Sequence, residues 1–366
     1  MTFAGRIFMI IWVTAIFILA ATVWNFVVST VYQNKIIATE RHLARIDSNV
    51  VESGKTEPEQ SPPPGHENDV PVEVRVGIYV DRIVETSIRE SNWTVDFYIW
   101  FNWTDETINP GETFQVIDGK IESKDKLKET IGGQEHYALY RVVSQITKFF
   151  DVSRFPCDDH LLAISIEDIA NQSYQLRYVA DEQNSNISSR VKVQGYEIHR
   201  KGMTVKPHSY KTTRGDPSVP ADYKATYSQF VLGIWVARSG FGFYFKIFLG
   251  LFVAVAVAMV TFFIKPTNVD PRFGLSVGGL FTAVANTYIT STLLPDTGIM
   301  TLTDMVNSIG MGMIFLTIIQ SAISLHFLQQ EENETLSWIF DKVSFIIFLT
   351  VYIIINLAIP TAAFLR

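Results

Sequence analysis

Residues 274–294 read Gly-Leu-Ser-Val-Gly-Gly-Leu-Phe-Thr-Ala-Val-Ala-Asn-Thr-Tyr-Ile-Thr-Ser-Thr-Leu-Leu. The run is long and mostly apolar, yet serine, threonine and asparagine interrupt it at helical intervals. A helix that is amphipathic within a bilayer needs somewhere wet to point its polar side. The simplest place is a water-filled lumen enclosed by several copies of the chain.

Composition agrees with a membrane setting. Of 366 residues 48% are hydrophobic and only 18% charged, less charge than a soluble protein of this size usually carries. The apolar residues concentrate in 7–31, 241–264, 274–294, 305–328 and 344–365. Each is near or above the roughly 20 residues that cross a bilayer. The net charge of −7 with no basic block excludes nucleic acid as the expected partner. One cysteine, Cys157, rules out an intrachain disulfide. Beside Pro156 it reads as a small buried hydrophobe rather than a nucleophile.

Working outward, residues 7–31 come directly after Arg6. They exceed a signal-peptide core and lack a clear cleavage site, which favours a retained anchor over a cleaved leader. Either way, the chain beyond residue 31 lies on the outer side of the membrane, because Arg6 stays inside. Residues 32–46 continue the helix, giving an N-terminal segment 1–46. Residues 47–70 are acidic and proline-rich and read as a linker.

From 71 to 240 the period changes to two. Val72, Val74, Val76, Ile78 and Val80 alternate, as do Val95, Phe97, Ile99 and Phe101. Further strands are expected at 137–148, 160–166, 174–179, 193–205 and 223–237. Short strands separated by turns predict an immunoglobulin-like β-sandwich. Residues 241–366 predict a four-helix transmembrane domain, joined at 265–272, 294–298 and 329–342. With the sandwich outside, Lys265, Arg272 and Lys342 fall inside.

Three motifs and their order carry a resemblance. Trp100-Phe101-Asn102-Trp103-Thr104-Asp105 looks like a second-strand Trp-Thr-Asp signature. Phe155-Pro156-Cys157-Asp158 matches a Phe-Pro-Phe-Asp loop centre with Cys157 in place of the second aromatic. Leu294-Pro295 through Gly298 to Asp304 looks like the loop after a pore helix, and Arg238 stands just before the first helix. The chain thereby resembles the pentameric ligand-gated ion channel (Cys-loop receptor) superfamily, prokaryotic branch, over residues 71–365. It differs in lacking a proline in the first helix and in adding residues 1–70.

The resemblance implies a homopentamer in a bacterial-type plasma membrane, with the sandwich extracellular or periplasmic. Membrane lipid, permeating inorganic ions and a small-molecule or proton agonist would be its partners. No cofactor is implied. It places Asp158 and Arg238 at the junction of sandwich and helices, with Trp93 and Pro295 nearby, as the coupling interface. It places Asp270 at the cytoplasmic mouth, where one carboxylate per subunit becomes a ring that favours cations. Asp270 before Pro271 also fits a helix N-cap followed by a first-turn proline. Arg272 opposes the ring if it faces the lumen. The same alignment lines the pore with Gly274, Gly278, Phe281, Ala285 and Tyr288, on one helix face. Phe281 would form a hydrophobic constriction that gates by dewetting. A neighbouring face offers Thr282, Asn286 and Ile289, and Asn286 must find a partner or water in either register.

For the agonist the resemblance implies a pocket between adjacent sandwiches. Tyr98, Tyr223 and Tyr227 are the aromatic candidates, able to hold an ammonium group against their rings. The segment 168–171 adds no aromatic, so an acetylcholine-like cage is incomplete. His136, His160, His199 and His208 do not recur at metal-ligand spacing, and Asp158, Asp159 and His160 alternate faces along a strand. No metal site is expected.

Rival classes differ in what they need. No phosphate-binding glycine loop, His-Glu-x-x-His or nucleophile elbow appears, so no enzyme is expected. A membrane-anchored sensor or adhesion protein would use the sandwich without a conducting pore. A secondary transporter would show repeat halves and broken helices, and neither is visible.

Overall fold

The computed structural model describes residues 3–48, 50, 61–132, 135–213, 215, 217, 219–220, 223–330 and 334–364. The chain forms two compact units. One comprises Met1–Ile37, Asp151–Asp158 and Ser239–Arg366. The other comprises Ala38–Phe150 and Asp159–Arg238.

A helix α1 (Phe3–Ile46) opens the chain. It joins the expected anchor and its continuation into one element of 44 residues, about 66 Å at 1.5 Å per residue. Of the expected linker 47–70, residues 49 and 51–60 lie outside the described residues. Then come β1 (Val72–Ser87), β2 (Asn92–Trp103), the short α2 (Pro110–Thr113), β3 (Phe114–Val116), β4 (Gly119–Thr130), β5 (His136–Thr147), β6 (Asp159–Asp168), β7 (Leu176–Ala180), β8 (Asn186–Ile187), β9 (Glu197–Ser209) and β10 (Thr226–Ala237).

The strands make two sheets. One runs β4-β5-β2-β1-β7, with β8 also on β1, and the other runs β3-β6-β10-β9. The period-two residues do what alternation demands. Val74, Val76, Ile78 and Val80 of β1 and Val95, Phe97, Ile99 and Phe101 of β2 are fully buried. They share one apolar cluster with Leu162, Ile164, Phe230, Leu232 and Ile234 of the second sheet.

Three strands depart from the expected pattern. β4 escapes a reading by alternation because Gly119–Thr130 is charged on both sides. It is an edge strand with register shifts at Ile121/Ser123 and Lys126/Lys128. Lysines and bulges are how an edge resists further pairing. β10 is buried on both faces, and its second face is covered by the end of α1. Ile46 packs over Gly202 and Gly233, which are cross-strand partners. A Cβ on Gly233 would come within 2.6 Å of Ile46, so the pair forms a notch for that side chain. Lys206 Nζ donates to the carbonyl oxygens of Ala44 (2.6 Å) and Val50 (2.9 Å), an arrangement suited to the negative end of a helix. The expected strand 193–205 starts later, at Glu197, with Val193 and Tyr196 in an isolated bridge.

The other unit holds α3 (Gly242–Met259) with a 3-10 turn (Val260–Phe263), α4 (Val269–Ser291), α5 (Leu302–Gln330) and α6 (Glu334–Phe364). Four helices, at Gly5–Ile46, Gly242–Phe263, Leu302–Gln329 and Glu334–Phe364, are long and apolar enough to cross a membrane. They make this a membrane-embedded protein. α4 is not one of the four. Its 23 residues span the distance, but its glycines and hydroxyls dilute its hydropathy. The expected join 329–342 is largely helix, with 331–333 outside the described residues. Ser337 and Asp341 look like loop residues in sequence but are buried against α5.

Candidate pore-lining face and its buried counterpart

α4 starts at Asn268, which occupies the N-cap position without a side-chain cap bond. Asp270 therefore lies inside the first turn and is not the cap. There its carboxylate complements the positive end of the helix, and Pro271 is tolerated where no intrahelical N–H bond is needed.

From that start the residues expected on one face do share it. Asp270, Gly274, Gly278, Phe281, Ala285 and Tyr288 are all exposed, Phe281 at 73% and Tyr288 at 72%. A Cβ built on Gly274 or Gly278 would meet nothing within 4 Å. The alternative face divides: Thr282 and Ile289 are exposed while Asn286 is buried.

The opposite face carries polar residues as well. Much of the polarity that interrupts 274–294 points into the helical unit rather than outward. Asn286 Nδ2 donates to Asn307 Oδ1 at 3.1 Å, and Asn307 Nδ2 donates to Thr290 Oγ1 at 3.0 Å. Ser276 and Thr317 hydroxyls meet at 3.3 Å. Thr282 and Thr287 turn their hydroxyls back onto the carbonyls of Gly278 and Ala283. Facing polar groups on α5 replace water, as interhelical hydrogen bonds do within bilayers. α3 closes in tightly on the same side, and a Cβ at Gly279 would meet the Ala254 carbonyl oxygen at 2.9 Å.

Arg272 belongs to this inward set. It is fully buried, with Nη2 donating to Asp341 Oδ1 of α6 at 2.7 Å and Nη1 to the Ile264 carbonyl at 3.2 Å. Gln320 Nε2 of α5 donates to the same carboxylate oxygen at 2.6 Å. The arginine does not share the exposed face with Asp270. A signal for this inner face existed in sequence: Asn307, Gly310, Thr317, Ser321 and Ser324 recur at spacings of three, four and seven, and all are buried. Small and polar residues at that period mark helix contacts in membranes.

Of the residues expected at a junction, Asp158 and Pro295 belong to the helical unit, and Trp93 and Arg238 to the β unit. The 151–158 segment is tied to α5. Leu302 N–H donates to the Ser153 carbonyl at 2.9 Å, and Thr303 Oγ1 to the Phe155 carbonyl at 2.8 Å. Thr301 and Asp304 cap α5 reciprocally, with Thr301 N–H to Asp304 Oδ2 at 2.9 Å and Asp304 N–H to Thr301 Oγ1 at 3.2 Å. Asp158 and Cys157 are buried, Pro295 is half-buried and Trp93 is wholly in the β core. Arg238 lies over the Tyr196 ring at 3.9 Å and donates to the Gly195 carbonyl at 3.1 Å.

The aromatic ligand candidates sit on different sheets. Tyr98 of β2 has the Arg141 guanidinium 5.6 Å from its ring centre. Tyr223 precedes β10 and donates to Gln172 Oε1 at 2.9 Å; burial pushes its phenol up to about 12. Tyr227 is buried edge-on to Tyr210 at 5.6 Å. Several residues of the expected capping loop (214, 216, 218, 221 and 222) lie outside the described residues. Sequence reading missed the group beside these tyrosines. Glu167 of β6 is fully buried and accepts hydrogen bonds from Tyr210 (2.9 Å) and Gln229 Nε2 (2.7 Å), with His208 Nδ1 also bonded to it. Three strands and a loop residue converge there, which no local pattern announces.

No protein-family model matches this chain, and no curated protein matches it.

Proposed function

We propose that the chain is a subunit of a homopentameric ligand-gated ion channel of the Cys-loop receptor type. In this reading the two sheets are an extracellular β-sandwich, α3–α6 are the pore domain and α1 is an added membrane anchor. A small-molecule or proton agonist, held between neighbouring sandwiches near Tyr98, Tyr223 and Tyr227, opens a cation-conducting pore lined by α4. Coupling runs through Trp93, Asp158, Arg238 and Pro295. An agonist achieves this only by binding the open state more tightly than the closed one.

The observation that carries the reading is the open face of α4. A carboxylate at the start of that face suits a lumen better than acyl chains, since an ionised group in lipid is costly, and the two glycines leave open space beside it. A rival reading, a membrane-anchored sensor without a pore, draws on the opposite face. Ser276, Asn286 and Thr290 find partners within the chain, so their polarity alone demands no water.

Recording from the reconstituted full chain under an amine and pH screen separates the two. A channel gives agonist-dependent current from a five-chain particle; a monomer that never conducts defeats it. Introduced cysteines sharpen this. Positions 274, 278, 281, 285 and 288 should react with a water-soluble thiol reagent, and positions 276, 286 and 290 should not. Asp270→Asn should move the reversal potential towards that of the anion.

A further inference from the structure

The withdrawn arginine bears on which ions the proposed pore passes. Asp270 and Arg272 are two residues apart, about 200° around a helix of 3.6 residues per turn. Asp270 lies on the exposed face and Arg272 is fully buried. Inside, Arg272 is held by a carboxylate on another helix, Asp341 of α6, to whose same oxygen Gln320 of α5 also donates, and by the Ile264 carbonyl.

The cluster is also incompletely satisfied. Among the described residues Arg272 Nε and Gln320 Oε1 have no hydrogen-bond partner. A guanidinium held in a buried site with an idle donor depends on its counter-charge, because a buried unpaired charge is costly. Without Asp341 the long arginine side chain gains by turning outward to water, at the end of α4 where Asp270 stands.

We infer that Asp341 is a positioning residue for ion selectivity: by holding Arg272 inside the subunit it leaves Asp270 uncompensated at the end of the open face. The charge presented there is then negative, which favours cations. With Arg272 released, each subunit presents one charge of either sign and the preference collapses. The inference rests on the pore reading of α4, and it assigns to α6, which does not line the pore, control over what the pore passes.

Reversal potentials in a sodium chloride gradient test it. Asp341→Asn should lower the cation-to-anion permeability ratio severalfold, towards unity. Asp341→Glu, which keeps the counter-charge, should retain the original ratio. Arg272→Gln combined with Asp341→Asn should restore it, because the intruding charge is gone. A merely structural role for Asp341 would not give that pattern of loss and rescue. If Asp341→Asn fails to reach the membrane, the neutral double variant decides alone. An unchanged ratio supports a withdrawn arginine, and a ratio rising above that of the unaltered chain shows that Arg272 already faced the lumen and overturns the inference. Failure of the unaltered chain to conduct removes the pore reading and this inference with it. Conduction with an unaltered ratio in Asp341→Asn removes only the inference.

Discussion

β2 and α4 each turn one face into a packed interior, and the two hidden faces differ in polarity. In β2 the hidden face is Val95, Phe97, Ile99 and Phe101, while Asp96 on the other side binds Arg141 and Arg82. In α4 the hidden face carries Arg272, Ser276, Asn286 and Thr290, and the open face carries Phe281 and Tyr288. The strand follows the rule of a water-soluble core, in which apolar area leaves water. The helix departs from it, because its hidden polar groups are satisfied by partners on α5 and α6. What lies inside such a helix is chosen by hydrogen bonding and close approach. A pattern of polar and apolar residues therefore names two faces, and only the solvent says which is inner.

Substitutions can break this contrast. The largest effects should come from removing what each hidden face depends on. Phe97→Ala should cost about 3–5 kcal/mol in unfolding of the β unit, as for buried aromatics generally. Arg272→Met should cost a similar amount, about 3–5 kcal/mol, by stranding Asp341. Arg272→Met together with Asp341→Leu should recover most of that loss in thermal unfolding in detergent. If the double change is as damaging as the single one, charge pairing is not what holds α4 to α6.

Next in size is Asn286→Ala. It leaves Asn307 short of one partner on a buried surface, for a loss of about 1–3 kcal/mol. A neutral outcome would place water in that contact.

Asp96 tests the strand's other face, where Arg141 and Arg82 cover its buried carboxylate. Burial pushes its carboxyl up, but hydrogen bonds and charge from Arg141 and Arg82 outweigh this and hold it below its usual 3.8. A folded value below the unfolded one stabilises above pH 3.8 and loses that contribution as pH falls through the folded value. The melting temperature of the native chain should exceed that of Asp96→Asn at neutral pH, with the gap closing below about pH 4. A gap independent of pH would show that the carboxylate charge is not what matters.

Phe281→Ala should change stability least, within about 0.5 kcal/mol, as for surface positions. Its expected effect is on closed-state leak, which rises if that ring of aromatics is the barrier. An unchanged leak would leave Phe281 as a lateral contact.

Much of the architecture was legible along the chain. Period-two runs located β1 and β2 because their alternate residues meet one apolar core. Long apolar runs located the spanning helices because the bilayer sets their length. That Gly274, Gly278, Phe281, Ala285 and Tyr288 share a face follows from helical spacing, whereas the choice of that face over its neighbour came only from the resemblance. β4 was not legible, since an edge strand rich in lysine has no apolar period. Nor was α6 from Glu334 to Lys342, since charged residues there look like loop until a partner for Asp341 is found.

Chain order and spacing determined which residues share a strand face or a helix face, where turns interrupt them and how long each apolar segment runs. These are local consequences of backbone geometry. Only the tertiary structure decided that α4 turns its asparagine and its arginine inward, that the end of α1 seats Ile46 over Gly202 and Gly233, and that His208, Tyr210 and Gln229 gather on Glu167. Each of those depends on partners remote in sequence, 69 residues apart for Arg272 and Asp341. A polar side chain takes its meaning from what it meets, and that is settled by packing rather than by period.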